Sequence, residues 1–380
     1  MKLSRRSALL TALSASRVLG ANDRIRVGGI GVGGRATGLL NKLTKLPGTD
    51  LAVVCDVYQP RLDEFPQTAT TKDYRGILDR KDIDAVLIGA PDHWHVRMAL
   101  DAMAAGKDVY VEKPLTRTIE EGDLMLKAFQ STKQIVQVGY QQRSTDTFLR
   151  AKEQIDAGAI GQVTMAMTYW YQNYSTRTPD TIIADPAKLD WKAWLGSAPA
   201  QPFDKVRFRH WRWFWDFGGG TLTDLFSHWV DSVHWLLGED KPNLVMASGS
   251  IYRNKFFQCP DTVSGSWRYS KFMVGYESTL VSSIEDGGIV FRGTEGMMKV
   301  NRAYTAIYPE KGARWDRLPD PTFEFKAATD GTAAHIANWL DCVRSRKMPN
   351  SNIRDAVASA RTAHWGNQSI REEKPVRPGG

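Results

Sequence analysis

The chain has 380 residues, 42% of them hydrophobic, which is enough for two domains with cores of their own. Its formal net charge is +8, and removing the four basic residues Lys2, Arg5, Arg6 and Arg17 leaves +4 for the chain after residue 20. The other basic residues are scattered among acidic ones, which argues against nucleic acid, and three widely spaced cysteines form neither a metal-binding pattern nor a disulfide framework.

The first 20 residues resemble an export signal of the twin-arginine type. Ser4-Arg5-Arg6-Ser7 precedes a short apolar run, Ala8–Ala15, which is too short for a membrane span of about 20 residues. No other segment is long and apolar enough to span a membrane. Because such signals export proteins already folded, often with a cofactor inside, the sequence predicts a periplasmic or secreted protein. The alternative is a disordered basic N-terminus.

A nucleotide-binding loop follows the first predicted strand. Ile25–Ile30 has the composition of a buried parallel strand, and a helical stretch begins at Thr37. Between them the pattern G-x-G-x-x-A is fitted by Gly31, Gly33, Gly34, Arg35 and Ala36. The glycines allow a tight turn and a close approach of the backbone to a pyrophosphate, and the small alanine lets the helix pack on the strand. The loop therefore predicts a dinucleotide site.

An acidic residue ends the second predicted strand. Leu51–Cys55 is followed by Asp56, roughly 20–25 residues past the glycines, where a carboxylate meets the adenosine ribose in dinucleotide-binding folds. A carboxylate at this position repels a ribose 2′-phosphate, so NAD is predicted rather than NADP. The alternative is an ordinary turn aspartate at the end of a strand.

Strands and helices continue to alternate up to about residue 145. Further strands are predicted at Ala85–Ala90, Asp108–Val111 and Ile135–Val138, with a helix over Val96–Ala105. This alternation predicts an α/β Rossmann domain with a doubly wound parallel sheet over residues 21–145. Ligands bind at the carboxyl ends of such strands, and these ends carry Pro91, His95, Glu112, Lys113 and Gln141.

Three segments of this half carry a family resemblance. Val109-Tyr110-Val111-Glu112-Lys113-Pro114-Leu115 resembles the E-K-P signature of the Gfo/Idh/MocA oxidoreductases, and the similarity extends to 91–95 and 138–143. The resemblance implies that these strand-end residues, together with Arg35, hold NAD. For His95 it implies a place in the nicotinamide pocket, and the alternative is a cap on the helix that begins at Val96.

The second half changes to short strands without intervening helices. They are predicted at Gln162–Tyr171, Leu244–Tyr252, Thr262–Tyr269 and Val274–Val281. This pattern indicates an α+β domain with a mostly antiparallel open sheet over residues 146–330. Two amphipathic helices, His335–Arg346 and Ile353–Ile370, are expected within a C-terminal segment, 331–380, that packs back on the core.

A glycine-punctuated helix in this domain carries Asp224 and His228. Their spacing of four residues places both side chains on one helix face. The segment resembles the family block G-G-G-x-L-x-D-x-x-x-H-x-x-D, which is far more specific than the glycine loop. The alternatives are a helix salt pair, or a metal site shared with His93 and His95; no third ligand cluster supports a metal.

These residues suit the oxidation of an alcohol by NAD. His228 is the candidate general base, Lys113 supplies positive charge for a developing alkoxide, and Asp224 orients or charge-tunes the imidazole or binds a sugar hydroxyl. The resemblance assigns the same three residues to the substrate site. Arg212 and Trp215, in an aromatic run before the helix, are candidate sugar contacts, although most of that run also suits core or subunit-interface packing.

The sequence therefore predicts an NAD-dependent oxidoreductase acting on a secondary hydroxyl of a sugar, polyol or glycoside. An exported enzyme has no soluble nicotinamide pool, so its NAD(H) is expected to stay bound and be recycled. The alternative, seen in relatives of this fold, is an NAD-dependent glycoside hydrolase that oxidises, eliminates and reduces again. A non-catalytic sugar sensor is a third reading. The resemblance also implies a homodimer or homotetramer.

Overall fold

The computed structural model describes residues 24–174, 184–314 and 316–379. The twin-arginine signal predicted for the first 20 residues lies outside this part of the chain. The described residues form a parallel sheet of six strands and a second, mostly antiparallel sheet of eight strands, as the sequence predicts. No helix in these ranges is both long enough and apolar enough to cross a membrane.

The first sheet is a doubly wound parallel sheet. In chain order its strands are β1 (Ile25–Ile30), β2 (Thr49–Cys55), β3 (Ala69–Thr71), β4 (Ala85–Ile88), β5 (Asp108–Val111) and β6 (Val136–Val138). Their spatial order is β3-β2-β1-β4-β5-β6, and every neighbouring pair is parallel. The order reverses between β1 and β4, and this switch point opens the crevice in which such folds bind ligands.

Helices cover both faces of this sheet. They are α1 (Gly34–Leu43), α2 (Gln59–Leu62), α3 (Arg75–Leu78), α4 (Asp92–Ala104) and α5 (Ile119–Ser131). The predicted start of α4 at Val96 is wrong by four residues, because Pro91 is its N-terminal cap and the helix begins at Asp92. His93 and His95 are therefore held inside the first turn of α4 and do not precede it.

The second sheet belongs to the C-terminal domain. Its strands are β7 (Val163–Tyr171), β8 (Leu244–Ser250), β9 (Thr262–Arg268), β10 (Met273–Thr279), β11 (Gly287–Gly293), β12 (Gly296–Val300), β13 (Tyr304–Pro309) and β14 (Phe323–Lys326). The order is β14-β13-β12-β11-β7-β10-β9-β8, and only β7 and β10 pair in parallel. The last four strands form hairpins that the sequence reading did not resolve.

Six further helices complete the described part of the chain. They are α6 (Asp146–Asp156), α7 (Trp191–Leu195), α8 (Lys205–Arg209), α9 (Ser227–Leu237), α10 (Thr332–Ser345) and α11 (Ile353–Glu372). The C-terminal pair ties the two domains together. Ile336, Trp339 and Leu340 of α10 share a core with Leu39 and Leu40 of α1, whereas α11 contacts α5 of the first domain and α9 and β8 of the second.

Candidate active site

A cavity of about 770 Å³ opens above the carboxyl ends of the first sheet. Gly31 has φ +71°, and a Cβ on it would lie 2.6 Å from the backbone of Ala90, so only glycine fits that turn. A Cβ on Gly33 or Gly34 would meet nothing within 4 Å, so the space in front of these two glycines is open to the cavity. The loop forms the kind of cradle that a pyrophosphate needs at a helix N-terminus.

Ala36 has the packing role predicted for it. It is buried, and a Cβ on Gly89 would lie 2.6 Å from its methyl group, so α1 lies directly against the residue that follows β4. A larger residue at either position would push the helix off the sheet. The residue therefore sets the place of the loop and does not line the cavity.

Asp56 lies on the wall of the same cavity, at the end of β2. Its Oδ1 accepts a hydrogen bond from the backbone N–H of Tyr58 at 2.9 Å. Burial raises the pKa of Asp56 to about 6, so a ligand that donates hydrogen bonds to the carboxylate favours its ionised form. The place and the charge suit the ribose hydroxyls of NAD.

Arg35 links the glycine loop to the E-K-P segment. Its Nε lies 3.0 Å from Oε1 of Glu112, and Glu112 is buried. The charge of Glu112 raises the pKa of the Arg35 guanidinium above its ordinary value. A Cβ on Gly139 would lie 2.7 Å from that carboxylate, so the end of β6 holds Glu112 against Arg35.

A second cavity of about 320 Å³ continues from the first and ends against β7. The two share Gly89, Ala90, Trp211, Arg212 and Arg35 on their walls. We call the smaller cavity the cleft. Eight of the predicted site residues line it: Arg35, His95, Glu112, Lys113, Gln141, Arg212, Asp224 and His228. The fold thus joins a dinucleotide-sized cavity to a smaller one lined by titratable groups.

Lys113, Asp224 and Arg212 form one ionic group in the cleft, in which Lys113 and Asp224 are nearly buried and the Arg212 side chain is 37% exposed. Lys113 Nζ donates to Asp224 Oδ1 at 2.7 Å and to its backbone carbonyl at 2.6 Å, and Arg212 Nε donates to the same Oδ1 at 3.1 Å. Burial by itself would raise the pKa of Asp224, but the charges of Lys113 and Arg212 outweigh it and hold the pKa below its ordinary value. The carboxylate is therefore ionised.

His228 is oriented by Gln142, a residue that the sequence reading did not select. His228 Nδ1 lies 3.1 Å from Gln142 Oε1, which can only accept, so Nδ1 carries the proton and Nε2 keeps its lone pair. Burial lowers the pKa of His228 well below its ordinary value, and the charges of Lys113, Arg302 and Arg35 lower it further. The imidazole is therefore neutral. Asp224 does not orient it, because the Asp224 carboxylate is bound by Lys113 and Arg212.

A π-helical turn brings Asp224 and His228 to the cleft together. Leu222–Phe226 forms this turn, and α9 begins at the next residue. Such turns are rare and often occur at functional sites. The wider turn keeps Asp224 and His228 on the side that faces Lys113, and both line the cleft. Their shared face agrees with the spacing in the sequence.

His95 ties two strand ends together. Its Nδ1 lies 2.7 Å from the carbonyl of Pro114 and its Nε2 2.8 Å from the carbonyl of Ala90, so the ring bridges the segments that follow β4 and β5. It is fully buried within α4 and touches the cleft, and it does not act as a helix cap. Its contact with the Pro114 carbonyl holds the backbone directly after Lys113 in place.

Pro91 and Gln141 take the places expected for cofactor-binding residues. Pro91 lines the large cavity, and Gln141 lines the cleft. Gln141 Oε1 is buried and has no hydrogen-bond partner within the described ranges. A buried acceptor without a donor is costly. The carboxamide N–H of a nicotinamide placed here would satisfy it, so the site fits NAD.

The prediction that Trp215 contacts the substrate disagrees with the structure. The guanidinium of Arg371 lies 5.2 Å from the Trp215 ring, and Trp215 does not line either cavity. Trp211 lines both cavities and stacks on Arg212 at 4.2 Å. Sequence spacing could not separate the two tryptophans, because a 3-10 turn over Trp211–Trp213 rotates this run away from helical geometry.

A segment of the second domain covers the large cavity. We call 184–212 the cover. Asp190 N donates to the Val57 carbonyl at 3.0 Å, and Tyr58 and Leu189 form a β-bridge. At the other side of the cavity the Trp194 carbonyl accepts a hydrogen bond from Trp94 Nε1 at 2.8 Å. The cover is thus fastened to the first domain on both sides of the cavity, which no motif in the sequence indicates.

The cleft also contains residues absent from the predicted set, among them Asp92, Trp170, Gln172, Tyr174 and Arg302. Burial raises the pKa of Asp92 well above its ordinary value, which favours the uncharged form of this carboxyl group. Trp170 lies 5.6 Å from the His228 ring. Within the ranges that the structure describes, no three histidine, cysteine or acidic side chains come together as metal ligands.

Comparison with known proteins matches both domains. A family described as "Oxidoreductase family, NAD-binding Rossmann fold" matches residues 25–140, and one described as "Oxidoreductase family, C-terminal alpha/beta domain" matches residues 155–377. A solved levoglucosan dehydrogenase in complex with NADH has the same fold, with a TM-score of 0.75, 20% identity and coverage of 93% of this chain and 99% of that one.

Three curated relatives differ in how much of the chain they match. A scyllo-inositol 2-dehydrogenase (NAD(+)) of Bacillus subtilis (strain 168) is 27% identical over 349 residues, 89% of this chain and 91% of the relative. A levoglucosan dehydrogenase of Pseudarthrobacter phenanthrenivorans is 32% identical, over 45% of this chain and 37% of the relative. A glycosyl hydrolase family 109 protein of Shewanella pealeana is 38% identical, over 26% of this chain and 25% of the relative.

Proposed function

Because the chain belongs to the Gfo/Idh/MocA oxidoreductase family and its cofactor is NAD, we propose that it oxidises a secondary hydroxyl of a sugar, polyol or glycoside. One observation carries the proposal above all. Lys113, Asp224 and a neutral His228 line one cleft that opens into the NAD cavity. The scyllo-inositol and levoglucosan dehydrogenases that match the chain agree with an alcohol substrate.

Each of these residues has a distinct task in alcohol oxidation. NAD, when bound, supplies the acceptor for the hydride that leaves the carbinol carbon. His228 Nε2 takes the hydroxyl proton, and Gln142 keeps the ring in the tautomer that can do so. Lys113 places a positive charge beside the oxygen on which negative charge develops. Asp224 fixes the ammonium of Lys113 at 2.7 Å.

We further propose that NAD(H) stays bound between turnovers. The cover lies over the large cavity, and its attachments at Val57, Tyr58 and Trp94 must break before a dinucleotide can leave sideways. Trp194 is packed among Trp191, Phe208 and Phe217, with ring centroids 4.7–5.7 Å apart, so opening the cover exposes a hydrophobic cluster to water. A second organic substrate would then reoxidise the bound cofactor.

The test is to denature purified protein after dialysis and quantify the released NAD(H) per chain. Near-stoichiometric cofactor is expected, followed by reduction of the bound NAD when polyols and sugars are added. An empty protein that turns over only with added NAD would contradict retention of the cofactor. A loaded protein that no alcohol reduces would contradict the oxidoreductase proposal.

The alternative is an NAD-dependent glycoside hydrolase in which oxidation and re-reduction of the sugar cancel. The similarity to glycosyl hydrolase family 109 proteins favours it, over about a quarter of the chain. A retained cofactor suits such a cycle, since no NADH leaves the protein. Release of the chromophore from p-nitrophenyl glycosides without a second redox substrate would favour hydrolysis, and a lack of release would favour net oxidation.

Location and assembly extend the proposal. The Ser4-Arg5-Arg6-Ser7 segment supports export of the folded, loaded protein by the twin-arginine route, which a fusion with Arg5 and Arg6 changed to lysine would test by loss of export. Met165 and Met273 are exposed cross-strand partners on β7 and β10, and with exposed Met246 they support a homodimer or homotetramer, since exposed apolar surface often marks protein–protein contacts. Light scattering of the purified protein would give its mass.

A further inference from the structure

Arg302 is a basic side chain of the cleft that forms no ion pair with an acidic residue in the described part of the chain. Of the four basic residues there, Arg35 pairs with Glu112, and Lys113 and Arg212 share Asp224. Arg302 has no ion pair and no hydrogen bond within the ranges that the structure describes, and its Nε is buried without an acceptor. A charged group left buried and unpaired is costly, so such groups are normally paired by protein or ligand.

The surroundings of Arg302 hold it rigidly toward the cleft. It lies in the tight turn between β12 and β13, where Asn301 Oδ1 accepts hydrogen bonds from the backbone N–H groups of Ala303 and Tyr304 at 2.8 and 2.9 Å. Its guanidinium lies 4.9 Å from the ring centroid of Trp170 and 5.8 Å from that of Trp229. These rings orient the guanidinium but satisfy none of its N–H donors.

The remaining acid of the cleft does not neutralise Arg302. Asp92 lies there, but it forms no ion pair with Arg302 in the described structure, and burial raises the pKa of this carboxyl group above its ordinary value, which favours the uncharged form. Burial lowers the pKa of Arg302 to about 10, and the charge of Arg35 lowers it further. The charges of Asp286, Asp330 and Glu112 act in the opposite direction, although none of these acids forms an ion pair with Arg302. Of the four basic side chains in the cleft, three pair with Glu112 or Asp224, and Arg302 is the one without an ion pair in the described part of the chain.

We propose that Arg302 binds a carboxylate of the substrate, so that the cleft accepts sugar acids or their glycosides in preference to neutral sugars. The planar fork of a guanidinium matches a carboxylate in a bidentate arrangement. The Trp170 ring, which touches both Arg302 and His228, lies where it can support the sugar ring between the carboxylate and the oxidised hydroxyl. The inference rests on the proposed carbohydrate oxidation in this cleft and names its substrate class.

The test is calorimetric titration of NADH-loaded protein, which binds sugars but cannot oxidise them because NADH accepts no hydride. The titrants are D-glucuronate, D-galacturonate and D-mannuronate, each compared with its neutral hexose. At least one uronate is expected to bind about ten-fold or more tightly than its hexose. Arg302→Gln should reduce that ratio to about two-fold or less, whereas Arg302→Lys should keep part of it, because it keeps the charge but not the fork.

Lys299→Gln is the matched control, because it removes a positive charge from the same hairpin at a residue that stacks on Tyr308 outside the cleft. It should leave the ratio unchanged. A wild-type protein without preference for any uronate, or an Arg302→Gln variant that loses hexose and uronate binding equally, would overturn the inference. Reduction of bound NAD by neutral alcohols together with no uronate preference would overturn this inference and leave the proposed oxidation standing. Preferential binding of a uronate with no reduction of bound NAD by any alcohol would overturn the proposed oxidation and leave the role of Arg302 in carboxylate binding standing.

Discussion

Replacing Lys113 with methionine isolates the role of its charge. Methionine has a similar length but no ammonium, so the variant loses both bonds from Nζ to Asp224, at 2.6 and 2.7 Å, and keeps the apolar stem. If the ammonium stabilises the developing alkoxide, turnover should fall by about 10²–10³-fold, which corresponds to about 3–4 kcal/mol of transition-state stabilisation. The bound NAD should remain, because the glycine loop and the cover are untouched.

The same substitution has a calculable cost in stability. Removing one partner of a buried ion pair costs about 3–5 kcal/mol. Arg212 still donates to Asp224 Oδ1 at 3.1 Å, so the free energy of unfolding should fall by about 3 kcal/mol, the lower end of that range. At about 2.1 cal/mol/K of unfolding entropy per residue, a chain of this size should lose about 4 °C in melting temperature. Both quantities can be measured on one preparation, as the rate of reduction of bound NAD and as thermal unfolding.

Lys107→Met is the matched control. Lys107 immediately precedes β5, the strand that leads to Lys113, and its Nζ donates to the carbonyls of Arg80 and Ile83 at 2.7 and 2.8 Å, away from both cavities. It should cost stability without lowering turnover. The reasoning about Lys113 is refuted if the folded, NAD-loaded Lys113→Met protein turns over within about three-fold of wild type, or if both variants lose activity to the same degree.

Four further predictions follow from the same geometry. Asp56→Asn should weaken NAD binding by about 10–100-fold and narrow the preference over NADP, measured by titration of cofactor-free protein; unchanged NAD affinity would contradict a ribose contact. Trp194→Ala should release NAD on dialysis, because it removes the ring that the cover packs around; retention equal to wild type would rule out the cover as the barrier. The neutral fraction of an ordinary histidine falls about three-fold between pH 7 and pH 6. His228 should stay neutral over this interval because burial holds its pKa well below the ordinary value, so the single-turnover rate should hardly change. A fall of about three-fold in that rate would show that the pKa of the base is not lowered. Burial lowers the pKa of His335 to about 4, so between about pH 6.5 and 4 the unfolded chain binds a proton at this residue and the folded chain does not, and stability falls with pH over that range. His335→Gln should reduce the slope of unfolding free energy against pH, measured in urea, by about 1.4 kcal/mol per pH unit. An unchanged slope would contradict the lowered pKa.

The sequence by itself determined the fold class and the cofactor, and it predicted where the candidate site residues lie in that fold. A glycine turn such as the one at Gly31 allows few conformations, and strands separated by helices can only assemble as a parallel sheet whose carboxyl ends share one edge. Glu112, Lys113 and Gln141 therefore had to lie near the cofactor cavity. Local spacing likewise placed Asp224 and His228 on one face, and both line the cleft.

Tertiary structure decided the contacts between segments distant in the chain. Gln142, not Asp224, orients His228, because Lys113 reaches Asp224 from the other domain. Contacts between distant segments also decide three other features: Trp211 lines the cavities and Trp215 does not, the cover lies over the large cavity, and Arg302 has no ion pair in the described ranges. Periodicity and motif spacing report neighbours along one element. Which charges are paired, and which are left for a ligand, depends on the packing of two domains against each other.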